Sequence, residues 1–330
     1  MTGIDTLVVE DLSVTFATER GAARAVRGVS FSVGAGATLA LVGESGSGKT
    51  VTARSILRLH DPATSVVTGR ILLDGTDLLP LPEREMHRVR GSAVSMIFQD
   101  PMTSLNPLMR AGEQVAEVFR VRKGMPRERA REASRALFAR VGISDPARRF
   151  EQFPHEFSGG MLQRVMILIA VAAGPRLMIA DEPTTSLDVT VQAQILRLVD
   201  SLRSDLGMSV LLVTHDMGIV AEHAAGIAVM YGGRIVESGP TAAVLARPFH
   251  PYTEGLLDAI PRSGSRGSRL RTIEGTPPGV FEVTTPCAFA PRCRYRQPGC
   301  DREIPPLVVH SDGRRVACAR CAELDLKGAL

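Results

Sequence analysis

The stretch Thr38–Thr52, TLALVGESGSGKTVT, constrains this chain more than any other. Apolar Leu39, Ala40, Leu41 and Val42 lead into Gly43-Glu44-Ser45-Gly46-Ser47-Gly48-Lys49-Thr50. That is a full match to G-x-x-x-x-G-K-[ST], placed between a buried-type strand and a helical run. The glycines let backbone N–H groups turn inward around an anion, and the helix behind them adds its positive end. In that geometry Gly43, Ser45, Gly46 and Gly48 line a triphosphate. Lys49 reaches the β- and γ-phosphates, and the Thr50 hydroxyl ligates Mg²⁺. A chance glycine-rich turn would not need the strand before it and the helix after it. The expected ligand is a nucleoside triphosphate.

At 330 residues the chain has room for two domains, and 44% hydrophobic residues with no Trp is a soluble α/β composition. The longest apolar run, Val165–Gly174, stops at Pro175-Arg176. A bilayer asks for about twenty residues, so this run reads as a buried helix. The start, MTGIDTLVVEDL, lacks a basic region followed by an apolar core and is not read as a signal peptide. A cytoplasmic location is expected, docked on a partner. Residues 262–330 carry 12 Arg and Lys against 7 Asp and Glu. That balance suits either a solvated arginine-rich surface or one that meets nucleic acid or anionic lipid.

Residues 7–16 and 28–33 read as paired strands. Phe16, at the end of the first, has two readings: a platform for a nucleobase or a buried strand aromatic. Residues 69–75 form a short strand, and 94–98 a buried strand ending at Gln99. From about 102 to 170 helical periodicity takes over, an insert between two halves of a nucleotide-binding sheet. Within it Ser158-Gly159-Gly160 opens an apolar helix. The buried strand 177–180 then runs into Asp181-Glu182, followed by a helix over 191–206, a strand over 209–214 and His215. Residues 225–239 are two strand runs split by Gly232-Gly233, a hairpin. The first domain spans 1–261, a polar linker 262–276, and a cysteine-rich extension 277–330.

Asp181, at a strand end, is the carboxylate that a phosphate-loop ATPase uses to hold Mg²⁺ through water opposite Thr50. Glu182 points to the other side of an extended chain, where it can orient the attacking water. Ser158-Gly159-Gly160 at a helix start repeats the anion-cradle logic. One chain needs a single cradle per γ-phosphate, so a second makes sense if it serves ATP held by another subunit. A plain helix cap at Ser158 is compatible with that role.

The order of these motifs resembles that of ABC-transporter ATPase subunits. The resemblance makes Gln99 the glutamine that senses Mg²⁺ and the membrane subunit. Ser158–Gly160 become the signature motif, here Phe157-Ser158-Gly159-Gly160-Met161 in place of the common LSGGQ. Ser186-Leu187-Asp188 match the D-loop, and His215 the switch histidine at the γ-phosphate. It narrows further through FQDPMTSLNP (98–107), SGGMLQRVMI (158–167), DEPTTSLDVTVQAQIL (181–196) and HPYTEGLL (250–257). These are similar to the dipeptide/oligopeptide/nickel-import branch, as is the ending with Cys287, Cys293, Cys300, Pro305 and Cys318.

The implied fold is a phosphate-loop α/β core with an antiparallel β subdomain, a helical subdomain and the cysteine-rich extension. The implied function is ATP hydrolysis that energises uptake of di- or oligopeptides, with nickel or oligosaccharide import as alternatives. Implied partners are a second ATPase subunit (a paralogue rather than self), two transmembrane permeases and an extracytoplasmic solute-binding protein. The location is the cytoplasmic face of the membrane. A soluble ABC ATPase acting on nucleic acid or ribosomes would carry two cassettes or a long coiled-coil insert. Neither is present, so no nucleic-acid partner is expected. A redox sensor in the tail that governs the ATPase is a second rival.

All five cysteines fall in the last 44 residues. Clustering of this kind in a cytosolic chain points to a metal rather than to disulfides. The spacing Cys-x5-Cys-x6-Cys-x17-Cys leaves Zn²⁺ and an iron–sulfur cluster both open. The resemblance implies a [4Fe–4S] cluster on Cys287, Cys293, Cys300 and Cys318, with zinc second. Cys321 completes a C-x-x-C with Cys318, so either can supply the fourth ligand; the resemblance favours Cys318, where the family's last cysteine falls. Lying after the last ATPase motif, the tail is expected to shape a docking surface rather than take part in hydrolysis.

Overall fold

The computed structural model describes residues 5–185, 187–259, 272–281 and 286–329. They form two compact units. The first gathers described residues of 1–6, 34–37 and 80–211; the second gathers those of 7–33, 38–79 and 212–330. Ser186 and most of the expected linker, 260–271, lie outside the described residues.

Two sheets build the second unit. One has four strands, in the order Gly21–Gly34, Asp5–Thr18, Ser65–Leu73, Thr76–Asp77. Along Asp5–Thr18 the inward positions are Leu7 and Val9, then Leu12 and Val14, all at most 1% exposed. The parity changes because the register slips between Glu10 and Ser13, a bulge that keeps both apolar pairs on the core face. Gly69 is needed opposite it: a Cβ there would lie 2.6 Å from the Glu10 carbonyl oxygen and 2.7 Å from that of Asp11.

The other sheet of this unit runs Val308–Val309, Arg315–Val316, Arg234–Pro240, Gly226–Tyr231, Thr38–Val42. Thr38–Val42 pairs in parallel with Gly226–Tyr231, Leu39 opposite Gly226 and Val42 opposite Val229. Both strands are nearly continuous apolar runs, as expected of parallel strands covered on both faces. The expected hairpin turns at Gly232-Gly233. Its second strand pairs with the tail, Glu237 opposite Val316 and Ser238 opposite Arg315.

One core therefore joins tail and sheet. Tyr231, Tyr252 and Phe289 form a ring cluster with centroids 4.5, 5.2 and 5.4 Å apart. Contacts of this kind contribute about 0.5–1.5 kcal/mol per pair beyond the area they bury. Cys287 and Cys293 pack against the same cluster. His250, fully buried, caps the helix Pro251–Asp258 by accepting from the Tyr252 N–H at 3.0 Å. Burial pushes its pKa down to about 3 and keeps the ring neutral, as an acceptor must be.

In the first unit Val94–Ile97 and Leu177–Asp181 pair in parallel, with Val94 opposite Leu177 and Ile97 opposite Ala180. Helices occupy the expected insert: Pro101–Ser104, Ala111–Lys123, Arg127–Arg140, Pro146–Phe150 and Gly159–Val171. Phe119, Phe138 and Phe150 sit buried among them. Gly159–Val171 carries the long apolar run and is a buried helix, as its length predicts. Among the described residues no helix is long and apolar enough to cross a membrane.

Candidate functional site

The phosphate loop belongs to the second unit, between Thr38–Val42 and the helix Lys49–Ile56. Gly43 turns the chain off the strand where a Cβ would stand 2.2 Å from the Met230 carbonyl oxygen, so no larger residue fits there. Lys49 is buried, and its Nζ donates to the Gly43 carbonyl at 2.7 Å and the Glu44 carbonyl at 2.9 Å. The ammonium is thus seated by the loop's own carbonyls. Ser45 and Gly46 are exposed at the loop tip, and Thr50 is half-buried in the helix's first turn. Phe16 is half-buried, with its ring edge-on to His60 at 5.3 Å. His215, exposed, follows the strand Ser209–Thr214. Asp216 beside it caps the next helix through the Gly218 and Ile219 N–H groups.

The first unit holds the other candidates. Asp181 ends its strand with 1% exposure. Glu182 follows with φ of 48°, a left-handed conformation that costs a non-glycine residue roughly 1–2 kcal/mol. Strain of this sort persists where the surroundings fix it. Here Gln99 Nε2 donates to Glu182 Oε2 at 3.1 Å and Thr185 Oγ1 donates to the same oxygen at 3.0 Å. Gln99 and Glu182, apart in sequence, are therefore in direct contact.

Ser158 stands at the N-cap of Gly159–Val171, yet its hydroxyl makes no capping bond. The plain-cap reading leaves that side chain without a job. Gly159 is exposed and has room for a Cβ, whereas a Cβ on Gly160 would meet Val191 Cγ1 at 2.6 Å. Asp188 caps the helix Val189–Leu206 by accepting from Val191 N–H at 2.9 Å.

Cys287, Cys293, Cys300 and Cys318 line a common cavity of about 30 Å³, together with His250 and Phe289. Burial pushes the Cys318 thiol up to about 12 and raises Cys287 and Cys293, to which neighbouring thiols add. Such thiols are poor nucleophiles, and a cation at the cavity would offset what raises them. Among the described residues no group of three or more His, Cys, Asp or Glu side chains is arranged to hold a metal ion.

Three residues without a role in the motif reading meet at the loop. Glu44 N–H donates to Tyr252 Oη at 2.8 Å, and the Glu44 carboxylate accepts two bonds from Arg292. Distance along the chain misleads here: Arg292, next to Cys293 in the tail, reaches the phosphate loop. The HPYT run marked Tyr252 as distinctive, but no sequence signal paired it with Glu44.

The ABC transporter family matches residues 26–185, and the family described as oligopeptide/dipeptide transporter, C-terminal region, matches 236–300. The chain is 47% identical over 313 residues to the dipeptide transport ATP-binding protein DppD of Bacillus subtilis, covering 94% of this chain and 93% of that one. It is 46% identical over 317 residues to the oligopeptide transport ATP-binding protein OppD of Salmonella typhimurium, covering 96% and 94%. Among solved structures, the ATP-binding cassette MJ0796, a dimer bound to ADP and Pi, matches with a TM-score of 0.63 at 25% identity, covering 71% of this chain and 98% of that one. Cassette CbiO1 of Clostridium perfringens matches with 0.62 at 25%, covering 73% and 91%.

Proposed function

We propose a division of labour for a chain that belongs to the ATP-binding subunits of ABC transporters, in the dipeptide/oligopeptide-import branch, and has their cassette fold with mixed α/β sheets. It is an ATPase whose hydrolysis drives peptide import. The phosphate loop holds ATP through Gly43, Ser45, Gly46, Gly48 and Lys49, and Phe16 stacks on the base. Thr50, Gln99 and Asp181 serve Mg²⁺. Glu182 orients the attacking water, and His215 contacts the γ-phosphate. The observation that carries this reading is the hold on Glu182, a carboxylate fixed by Gln99 and Thr185 on a strained backbone.

Ser158, Gly159 and Gly160, with Asp188 beside them, act on ATP bound by a second ATPase subunit, a paralogue rather than a second copy. The uncommitted Ser158 hydroxyl at an exposed helix start supports this. Two permeases and an extracytoplasmic binding protein complete the system, and the chain sits on the cytoplasmic face of the membrane. Complementation tests the shared site. Lys49→Ala disables the loop, while Gly159→Asp puts a carboxylate in the cradle at a position with room for it. Lys49→Ala on this chain, combined with the matching signature-glycine change on the paralogue, leaves one composite site whole and is expected to retain ATP hydrolysis that both changes carried by this chain abolish. Activity that stays within one monomer on dilution refutes the shared site.

The domain division read from the sequence stands as part of this proposal: cassette 1–261, linker 262–276, extension 277–330. The extension holds a [4Fe–4S] cluster on Cys287, Cys293, Cys300 and Cys318. Four thiols lining one cavity support a shared thiolate site, and the family resemblance favours the cluster over zinc. The cluster's contribution is structural, in a tail whose two-residue strands give it little of its own to fold around. Anaerobically purified protein is expected to contain about four irons per chain, a content that Cys293→Ser abolishes. Stoichiometric zinc without iron overturns the cluster, and neither metal overturns the site.

A further inference from the structure

We infer that Arg292 is a positioning residue of the phosphate loop, gripping the Glu44 carboxylate so that the loop keeps the shape that receives nucleotide. The inference rests on the reading that this loop holds ATP. Glu44 follows Gly43 directly and is fixed on three sides. Its N–H donates to Tyr252 Oη at 2.8 Å and its carbonyl accepts from Lys49 Nζ at 2.9 Å. Its carboxylate accepts from Arg292 Nη1 at 2.7 Å and Nη2 at 3.0 Å.

The guanidinium is itself anchored. Its side chain is 5% exposed. Nε donates to the Glu274 carbonyl at 2.9 Å, Nη2 also to the Ile273 carbonyl at 3.2 Å, and Nη1 also to Tyr231 Oη at 3.2 Å. A planar fork with two parallel bonds fixes both the place and the tilt of a carboxylate, which a lysine ammonium does not do.

Two consequences follow for the nucleotide. The phosphate-loop pattern asks for no acid at position 44, and a carboxylate beside a polyphosphate repels it. Arg292 cancels that charge at its source. The Glu44 carbonyl is also one of the two that seat Lys49, so a shift of residue 44 displaces the ammonium. An exposed ion pair would have little influence of this kind. This pair is largely buried on the arginine side, and removing Arg292 leaves Glu44 charged and unmatched.

The test is titration of the full-length chain with MgADP, alongside thermal unfolding of the nucleotide-free protein. Arg292→Met is expected to weaken MgADP binding about tenfold. Arg292→Lys, which keeps the charge and loses the fork, falls between it and the native protein. Adding Glu44→Gln to Arg292→Met removes the unmatched charge and recovers part of the affinity, a rescue that a merely structural arginine would not give. If Arg292→Met does not fold, the comparison of Arg292→Lys with the native chain decides. Variants that bind MgADP as the native protein does, whatever their unfolding temperature, overturn the inference. So does a double variant no better than Arg292→Met. A native chain that binds no MgADP instead overturns the reading of the loop itself.

Discussion

Glu182→Gln is expected to keep ATP bound and to slow its hydrolysis at least a hundredfold, about 2.7 kcal/mol of barrier. The substitution changes one oxygen for an amide nitrogen and leaves the backbone, including its φ of 48°, as it is. Thr185 can still donate to the remaining oxygen, so the side chain stays in place. What disappears is the negative charge that orients and polarises the attacking water, and single electrostatic contacts of this kind carry effects of that size. Thr50, Asp181 and Lys49 are untouched, so nucleotide stays. Single-turnover hydrolysis in the assembled transporter, read together with bound nucleotide, measures both halves. A variant that turns over like the native protein removes Glu182 from the role given to it here.

Gly43→Ala acts at the other end of the reaction and is expected to weaken nucleotide binding by about a hundredfold. The new Cβ would lie 2.2 Å from the Met230 carbonyl oxygen, which is backbone and has no rotamer to escape into. Met230 in turn is held opposite Ile235 in the hairpin and cannot retreat cheaply. The loop must therefore move, by an ångström or so, and misplacement on that scale costs on the order of a hundredfold. Overpacking also lowers stability, typically by about 1–3 kcal/mol. Nucleotide titration and thermal unfolding of the same preparation separate the two effects. An affinity within a few-fold of native would show that the loop tolerates the methyl group.

Much of this was legible from the residues. The phosphate loop, the strand before it, the Gly232-Gly233 hairpin and the strand running into Asp181 all follow from local pattern: apolar runs, glycines and a stop. So does the burial of the apolar helix, whose length rules out a membrane span. The rest depends on long-range contact. No periodicity shows that Glu182 takes a left-handed conformation or that Thr185 serves it. The Arg292–Glu44 pair joins residues that share no helix face and no strand register. The two-residue strands Val308–Val309 and Arg315–Val316 are too short to carry an alternation, and pairing alone defines them. Phe16 shows the middle case. Its strand is evident, but only the structure shows it half-buried against His60.

The tail strand against Arg234–Pro240 has a bearing on how the protein is made. A sheet edge left bare offers unpaired N–H and C=O groups to any passing strand. Here Glu237 and Ser238 are partnered by Val316 and Arg315, and Val236 receives the Ala317 N–H. During synthesis the hairpin leaves the ribosome well before these partners do, so that edge stays open while the rest of the second unit is already assembling. Chain emergence, rather than intrinsic folding speed, sets how long the exposure lasts. Nascent chains stalled between the hairpin and the tail are therefore expected to aggregate more readily than the full-length protein.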